Sequence, residues 1–111
     1  AAKKGYPGWS AYCASKAGLE KMVESVAMEC ETLNLPSILV SLAPGVIDTP
    51  MQKQIRSASS QDFPNQQRFA QLYENDQLWK PSFVAQNIFN WINQSRDSIQ
   101  TGQRYDLRDI I

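Results

Sequence analysis

The chain has 111 residues, 42% of them hydrophobic, and a formal net charge of zero, so we expect one folded domain with a modest core rather than a disordered segment. Its scattered basic residues exclude a nucleic-acid-binding surface, which needs clustered positive charge, and no apolar run approaches the roughly 20 residues of a membrane span. Histidine is absent, which excludes Ser-His-Asp and Cys-His nucleophiles and, with only two cysteines, most catalytic zinc sites.

A long helix is predicted from about Ser10 to Leu33, ended by Asn34 and Pro36. One face of it carries apolar residues at three- and four-residue steps, namely Leu19, Met22, Val23, Val26, Cys30 and Leu33. Cys13 and Cys30 would lie roughly 25 Å apart along this helix at about 1.5 Å per residue, too far for a disulfide. We therefore interpret both as thiols of a protein in the reducing cytoplasm, and the opening AAKKG lacks the apolar core of a secretory signal.

The rest of the chain alternates between strand and helix patterns. The branched residues of Ser37–Ala43 predict a buried parallel strand, and PGVIDTP then breaks the pattern. The polar segment Met51–Lys80 predicts a short helix, a loop near Phe63–Pro64 and a second helix, for which the plain interpretation is a solvated amphipathic hairpin. A further helix is predicted over Ser82–Gln94. Gly102 opens a last short strand, RYDLRD, with period-2 alternation.

These elements form an incomplete α/β domain. A stable parallel sheet generally needs three or more strands, whereas the sequence predicts one buried strand and one short one. We therefore expect residues 1–111 to be the C-terminal part of a single larger α/β domain, helix-rich as a fragment. Without an upstream half, other copies of the chain would have to cover the apolar faces of the strand and the long helix, which favours an oligomer.

The stretch YCASK places Tyr12 and Lys16 four residues apart on the long helix, so their side chains share one face. A free phenol, with a pKa of about 10, is a poor acid–base catalyst near neutral pH. A neighbouring ammonium stabilises the phenolate, which makes proton transfer to a carbonyl oxygen feasible. The spacing alone is also common on helix surfaces, and an ordinary surface pair is the alternative interpretation.

The wider context resembles the short-chain dehydrogenase/reductase family. SAYCASKAGLEKMVESVAMEC, then a buried strand, then LAPGVIDTPM follow that family's order, and the resemblance runs from about Gly8 to the end. It is strongest to the sepiapterin reductase group and related reductases of vicinal diketones. The resemblance implies the C-terminal half of a Rossmann-like, doubly wound parallel sheet.

The resemblance also implies roles for the pair. Tyr12 would be the general acid that protonates a carbonyl as hydride arrives, and Lys16 would activate it and bond the nicotinamide ribose. The family's glycine-rich phosphate turn, its Asn-Ala-Gly segment and its catalytic serine would all lie upstream. Ser10 is no substitute for that serine, because it lies two positions from Tyr12 on another helix face. We therefore expect this chain alone to be inactive and to bind the dinucleotide poorly.

A second cofactor segment is implied after the buried strand. Pro44 and Gly45 would shape a turn at the carboxyl end of the strand, where ligands bind in open α/β sheets. The main chain around Ile47 and the hydroxyl of Thr49 would then face the nicotinamide carboxamide. The alternatives are an ordinary turn, and a Thr49 that merely caps the next helix before Pro50.

Two residues bear on a substrate. Trp9 would be an apolar wall of the pocket, or equally a core or interface tryptophan. Asp106 matches an acidic residue that in pterin reducers holds the aminopyrimidine edge, since a carboxylate accepts two parallel N–H bonds. Alternatively it neutralises Arg104 and Arg108 on the same strand face, an interpretation we slightly favour. The Met51–Tyr73 segment has the family's lid position, with Met51, Ile55 and Phe69 as candidates to close over a substrate.

The function implied is NADP(H)-dependent reduction of a small-molecule carbonyl, a diketone or a pterin side-chain ketone, by a homo-oligomer; NAD is not excluded. A different class is a non-catalytic assembly fragment, in which the helix bearing Tyr12 packs against another copy through Leu19, Met22, Val26, Cys30 and Leu33. An epimerase or dehydratase on the same scaffold is a third, less favoured hypothesis, because the segment APGVIDTPM resembles the simple reductases more closely. No metal site is predicted.

Overall fold

The computed structural model of the protein describes residues 8–59, 61 and 63–111. In chain order it contains helix α1 (Ser10–Thr32), strand β1 (Ser41–Ala43), helices α2 (Pro50–Arg56), α3 (Gln66–Glu74) and α4 (Pro81–Ser95), a 3₁₀ turn (Arg96–Ser98), strand β2 (Arg104–Asp106) and helix α5 (Leu107–Ile110). The predicted α/β class is confirmed, in a helix-rich form with a short parallel sheet. No described helix combines the length and the apolar character needed to cross a membrane.

The sheet is shorter than the sequence predicts. Its parallel register pairs Ser41 with Arg104, Leu42 with Tyr105 and Ala43 with Asp106. The predicted strand Ser37–Ala43 is therefore wrong over its first half. There the turn before β2 holds the chain: Leu39 N–H donates to Thr101 Oγ1 (3.0 Å), and Leu39 C=O accepts the Gly102 N–H (2.7 Å). A strand pairs only where its neighbour runs alongside, so the late start of β2 limits β1.

The last strand ends at Asp106, and the predicted strand over RYDLRD is wrong beyond it. Asp106 is the residue before α5, and its Oδ1 accepts the Arg108 N–H at 3.0 Å. Because aspartate at this position stabilises a helix start, the chain turns into α5 and buries Leu107 completely. Arg104 and Arg108 therefore lie on different elements rather than on one strand face.

Helix α1 matches the prediction closely in length but buries little of itself. Asn34 follows it with φ of 56°, the left-handed backbone common just after a helix end. Of the α1 residues, all of which are described, only Ala27 is buried, against the turn at Gly102. The predicted apolar face is largely open, with Leu19, Met22 and Leu33 exposed by 49%, 55% and 68%.

A second packing centre lies on α2 and α3, which confirm the predicted helix, loop and helix. Ile55, Phe63 and Phe69 are buried together, and Trp9 packs on them. We call these four residues the aromatic cluster. Val46, Ala58 and Leu72 pack around it. The cluster joins the start of α1, the segment after β1 and the α2–α3 hairpin.

Candidate active site

Tyr12 and Lys16 share one face of the first turns of α1, as their spacing predicts. The Lys16 Nζ lies 5.6 Å from the centroid of the Tyr12 ring. Tyr12 is half-buried and Lys16 is exposed. Within the described residues, neither the Tyr12 hydroxyl nor the Lys16 ammonium has a hydrogen-bond or ion-pair partner. Both polar ends therefore keep unused hydrogen-bonding capacity among the described residues.

Trp9 connects Tyr12 to the aromatic cluster. Its ring centroid lies 4.9 Å from that of Tyr12 in an edge contact, and it stacks on Phe63 at 4.7 Å and on Phe69 at 6.0 Å. Such contacts between rings add to the free energy of burial. Trp9 therefore sets the position of the Tyr12 ring relative to the α2–α3 hairpin.

Trp9 also borders a cavity of about 240 Å³ at this end of α1. The other lining residues are Met51, Gln54, Ile55, Ala58 and Phe63. Met51 is 41% exposed, so its side chain is available at the rim. Trp9 thus contributes both to the core and to an apolar wall, and the two interpretations of this residue are compatible.

Two of the three lid candidates are already packed. Ile55 and Phe69 are 7% and 9% exposed and lie inside the aromatic cluster. Phe69 does not line the cavity, because its ring packs on Phe63 (5.7 Å) and Trp9 instead. Of the three lid candidates, Met51 and Ile55 line the cavity.

The segment Pro44–Thr49 leaves the carboxyl end of β1 in a turn that depends on Gly45. The Gly45 φ is +87°, a left-handed conformation that favours glycine. A Cβ there would also lie 2.8 Å from Trp79 Cζ3 and 3.0 Å from its Cε3. The Trp79 ring therefore rests directly on the glycine backbone.

Backbone hydrogen bonds on either side of Ile47 tie the same segment to Trp79. Trp79 N–H donates to the Val46 carbonyl, and Asp48 N–H donates to the Trp79 carbonyl, both at 2.9 Å. Successive residues of an extended chain present their polar groups to opposite sides, so the N–H and C=O of Ile47 point away from Trp79. One donor and one acceptor of the main chain therefore lie side by side at Ile47, on the side of the segment that faces away from Trp79.

Thr49 occupies the position before α2, yet its hydroxyl makes no capping hydrogen bond. The helix start instead uses the Thr49 carbonyl, which accepts the Gln52 N–H at 3.0 Å, and the ring of Pro50. The interpretation of Thr49 as a side-chain cap is therefore wrong. Its hydroxyl is therefore not used by the helix start.

Asp106 lies opposite Ala43 in the sheet, at the edge from which the Pro44–Thr49 turn leaves. Its carboxylate is already engaged, because Arg108 donates from Nε to Oδ1 (2.9 Å) and from Nη2 to Oδ2 (2.6 Å). This hydrogen bonding by Arg108 lowers the pKa of Asp106 to about 2. The neutralising role, rather than an open carboxylate, is what the geometry favours.

Sequence reasoning missed Trp79 and Phe63, which hold this end of the molecule together. Trp79 stands in a polar stretch before Lys80 and Pro81, and Phe63 in a loop, so neither belongs to a periodic apolar pattern. Both act through contacts with residues far away in sequence. No group of three or more described Cys, Asp or Glu side chains has a metal-binding arrangement.

Comparison with known proteins places these features in a family. The family described as short chain dehydrogenase matches residues 1–60. Benzil reductase ((S)-benzoin forming) of Bacillus subtilis (strain 168) is 40% identical over all of this chain and 44% of its own length. Sepiapterin reductase of Rattus norvegicus is 33% identical over 95% of the chain and 37% of its own.

A solved structure agrees with the fold. The crystal structure of the KRED1-Pglu enzyme superposes on 93% of this chain with a TM-score of 0.76 and 34% sequence identity, using 42% of that enzyme. The chain thus spans less than half the length of each of these relatives. The family match over residues 1–60 includes α1, β1 and the turn that follows β1.

Proposed function

Because this chain belongs to the short-chain dehydrogenase family of oxidoreductases, we propose that the whole protein carrying it reduces a carbonyl group of a small molecule with a nicotinamide cofactor. The proposed substrates are diketones and pterin side-chain ketones, by analogy with the relatives named benzil reductase and sepiapterin reductase. Residues 1–111 would then form the C-terminal part of one domain, and the two thiols are consistent with a cytoplasmic enzyme.

The observation that carries the proposal is the shared helix face of Tyr12 and Lys16, together with the contact of the Tyr12 ring with Trp9, which lines a cavity. In the proposed reaction the Tyr12 hydroxyl donates its proton to the carbonyl oxygen, and Lys16 stabilises the phenolate that remains. When bound, the reduced nicotinamide supplies the hydride to the carbonyl carbon. Trp9 and Met51 exclude water from the apolar side of the substrate.

The residues proposed to hold the cofactor are Lys16, on the ribose hydroxyls, and the turn after β1. The N–H and C=O of Ile47 and the hydroxyl of Thr49 suit the carboxamide, and Pro44 and Gly45 shape the turn that presents them. NADP(H) is proposed over NAD(H) because the resemblance to the sepiapterin reductase group implies it. Tyr12 would lie against the same nicotinamide.

Asp106 and α1 carry two further parts of the proposal. Asp106 would bind a pterin only by exchanging Arg108 for the aminopyrimidine edge, so we propose it as a secondary contact. The exposed face of α1, which includes Leu19 and Met22, would contact a second copy in a homo-oligomer. That face also supports the alternative function, a non-catalytic assembly module.

Substitution of Tyr12 by Phe in the whole protein tests the proposal. With NADPH and either benzil or sepiapterin, we expect kcat to fall by about 100-fold or more, the usual contribution of a general acid. The Y12F protein should retain its oligomeric size in light scattering. Tyr73→Phe is the matched control, since Tyr73 is an exposed tyrosine on α3, and it should leave kcat unchanged.

Two outcomes would reject the proposal in different ways. If Tyr12→Phe reduces these substrates as fast as the unchanged protein, Tyr12 is not the acid. If the unchanged protein assembles but reduces none of the substrates, the assembly function is favoured over the enzyme.

A further inference from the structure

Trp79 touches the turn after β1 in three ways. Its indole lies on Gly45, with the closest ring atom 2.8 Å from where a Cβ would be. The backbone N–H of Trp79 donates to the Val46 carbonyl, and the backbone carbonyl of Trp79 accepts the Asp48 N–H. Phe83 of α4 supports the indole through a ring contact of 5.6 Å. A side chain fixed between two elements in this way has little freedom to move.

Trp79 also closes the base of the α2–α3 hairpin. The chain enters the hairpin at Thr49 and leaves it just before Trp79, and the bridge between Ile47 and Trp79 joins the two ends. The bridge thus ties the two ends of the hairpin to each other and to the turn after β1.

We propose that Trp79 is a positioning residue that holds the Gly45 turn, and with it the Ile47 N–H and C=O, in the geometry that receives the cofactor carboxamide. The inference rests on the proposed function for the identity of the ligand. Its structural part, the holding of the turn by the indole, stands independently. Trp79 has no contact of its own with reacting atoms in this scheme.

Trp79→Ala in the whole protein removes the indole and leaves the backbone bonds possible. We expect the Kd of NADPH, measured by titration, to rise about tenfold, because small displacements of positioning groups are costly. Amide hydrogen exchange of Asp48 should accelerate by a similar factor. The KM of the carbonyl substrate should change by less than about twofold, since Trp9 and Met51 form the proposed wall. Trp79→Phe retains a flat ring, so the Kd of NADPH and the exchange rate of Asp48 should both stay close to those of the unchanged protein.

Gly45→Ala provides the reciprocal test. In the unchanged protein the new methyl group meets the indole and also strains a positive φ. In the Trp79→Ala background the indole is gone, so Gly45→Ala should weaken NADPH binding by a smaller factor. Such non-additivity is expected only for groups in contact. Equal factors in the two backgrounds would overturn the proposal.

Trp91→Ala is the matched control. Trp91 is a buried tryptophan of α4 that packs on Tyr105 (5.1 Å), whereas the side chain that contacts Gly45 is Trp79. Trp91→Ala should lower thermal stability without changing Asp48 exchange. If Trp91→Ala and Trp79→Ala accelerate Asp48 exchange equally, Trp79 is merely a core residue and the proposal fails.

The positioning role of Trp79 and the proposed reductase function can each fail without the other. A protein that binds NADPH with the predicted response to Trp79 but reduces no carbonyl contradicts the proposed function and supports the positioning role. A protein in which Trp79→Ala leaves both Asp48 exchange and the Kd of NADPH unchanged contradicts the positioning role, whatever its activity.

Discussion

The aromatic cluster and the sheet with its helices differ in how completely contacts within the chain bury their apolar side chains. Ile55, Phe63 and Phe69 are each at most 9% exposed, and contacts within the chain are enough to bury them. Around β1 and β2, by contrast, large side chains of α1 and α4 stay open, and Phe89 of α4 is 64% exposed. The aromatic cluster is thus buried by residues of this chain, whereas α1 and α4 leave apolar side chains exposed.

This difference separates the parts of the proposed site. The substrate side, formed by Trp9, Met51 and the α2–α3 hairpin, depends on contacts internal to the chain. The sheet and α1, which carry Tyr12 and Lys16, depend on whatever covers their open faces. Because uncovered apolar area is costly in water, we expect the stability of α1 to respond to its surroundings more than that of the cluster.

The largest expected effect comes from Phe63→Ala. The ring is 3% exposed and packs on both Trp9 and Phe69, so its removal should cost about 3–5 kcal/mol. Hydrogen exchange of the whole protein should then lose protection across α2 and α3. Phe89→Ala makes the same change on an exposed face of α4 and should leave that protection unaltered. Equal loss from both substitutions would remove the distinction between the two regions.

Local patterns predicted α1 to α4 well, because each of these helices has its own boundary signals, whereas α5 was missed. Asn34 ends α1 and Pro81 starts α4, and both signals act within a few residues. The Tyr12–Lys16 face followed from helix geometry alone. The turn at Gly45 was likewise marked by its own residue types, which need no distant partner.

The errors fall where the outcome depends on a distant partner. Ser37–Ala43 has strand-forming residues throughout, but only Ser41–Ala43 pairs, because its partner strand β2 lies more than 60 residues later and begins at Arg104. The strand predicted over RYDLRD ends at Asp106 instead, because the carboxylate of this last strand residue caps α5. Trp79 had no local signal at all, since its role arises from a contact with Gly45.

A smaller effect is expected from Asp106→Asn, which keeps a capping oxygen and removes the charge. Arg108 holds the pKa of Asp106 at about 2, below the ordinary value of 3.8, so the ionised carboxylate stabilises the fold. That contribution is complete above pH 3.8 and is lost as the pH falls towards 2. Since Arg108 is largely exposed, we expect about 1 kcal/mol at neutral pH.

Urea unfolding of the whole protein at several pH values measures this contribution. The difference in free energy of unfolding between Asp106→Asn and the unchanged protein should be constant around neutral pH and should become smaller in acid. Asp109→Asn, which changes an exposed acid of the same helix, is the control and should show no gap. A gap that persists at pH 2 would mean that Asp106 acts through packing rather than charge.

The smallest effect distinguishes two ion pairs. Arg104 and Glu20 join β2 to α1 at 3.3 Å with both side chains 28% exposed, whereas Lys21 and Glu24 lie 2.7 Å apart within α1, 77% and 48% exposed. Although the second pair is shorter, water and salt screen it. We therefore expect Arg104→Met to lower the free energy of unfolding by about 0.5–1 kcal/mol and Lys21→Met to cause no measurable change.

A double-mutant cycle with Glu20→Gln isolates the first pair from the packing of the Arg104 stem. Its coupling energy should persist in high salt, because both charges are partly withdrawn from water. The Arg104–Glu20 pair connects α1 to strand β2 of the sheet. If the cycle gives no coupling, α1 is held to the sheet by the close approach of Ala27 and Gly102, and the dependence of α1 on its surroundings is greater still.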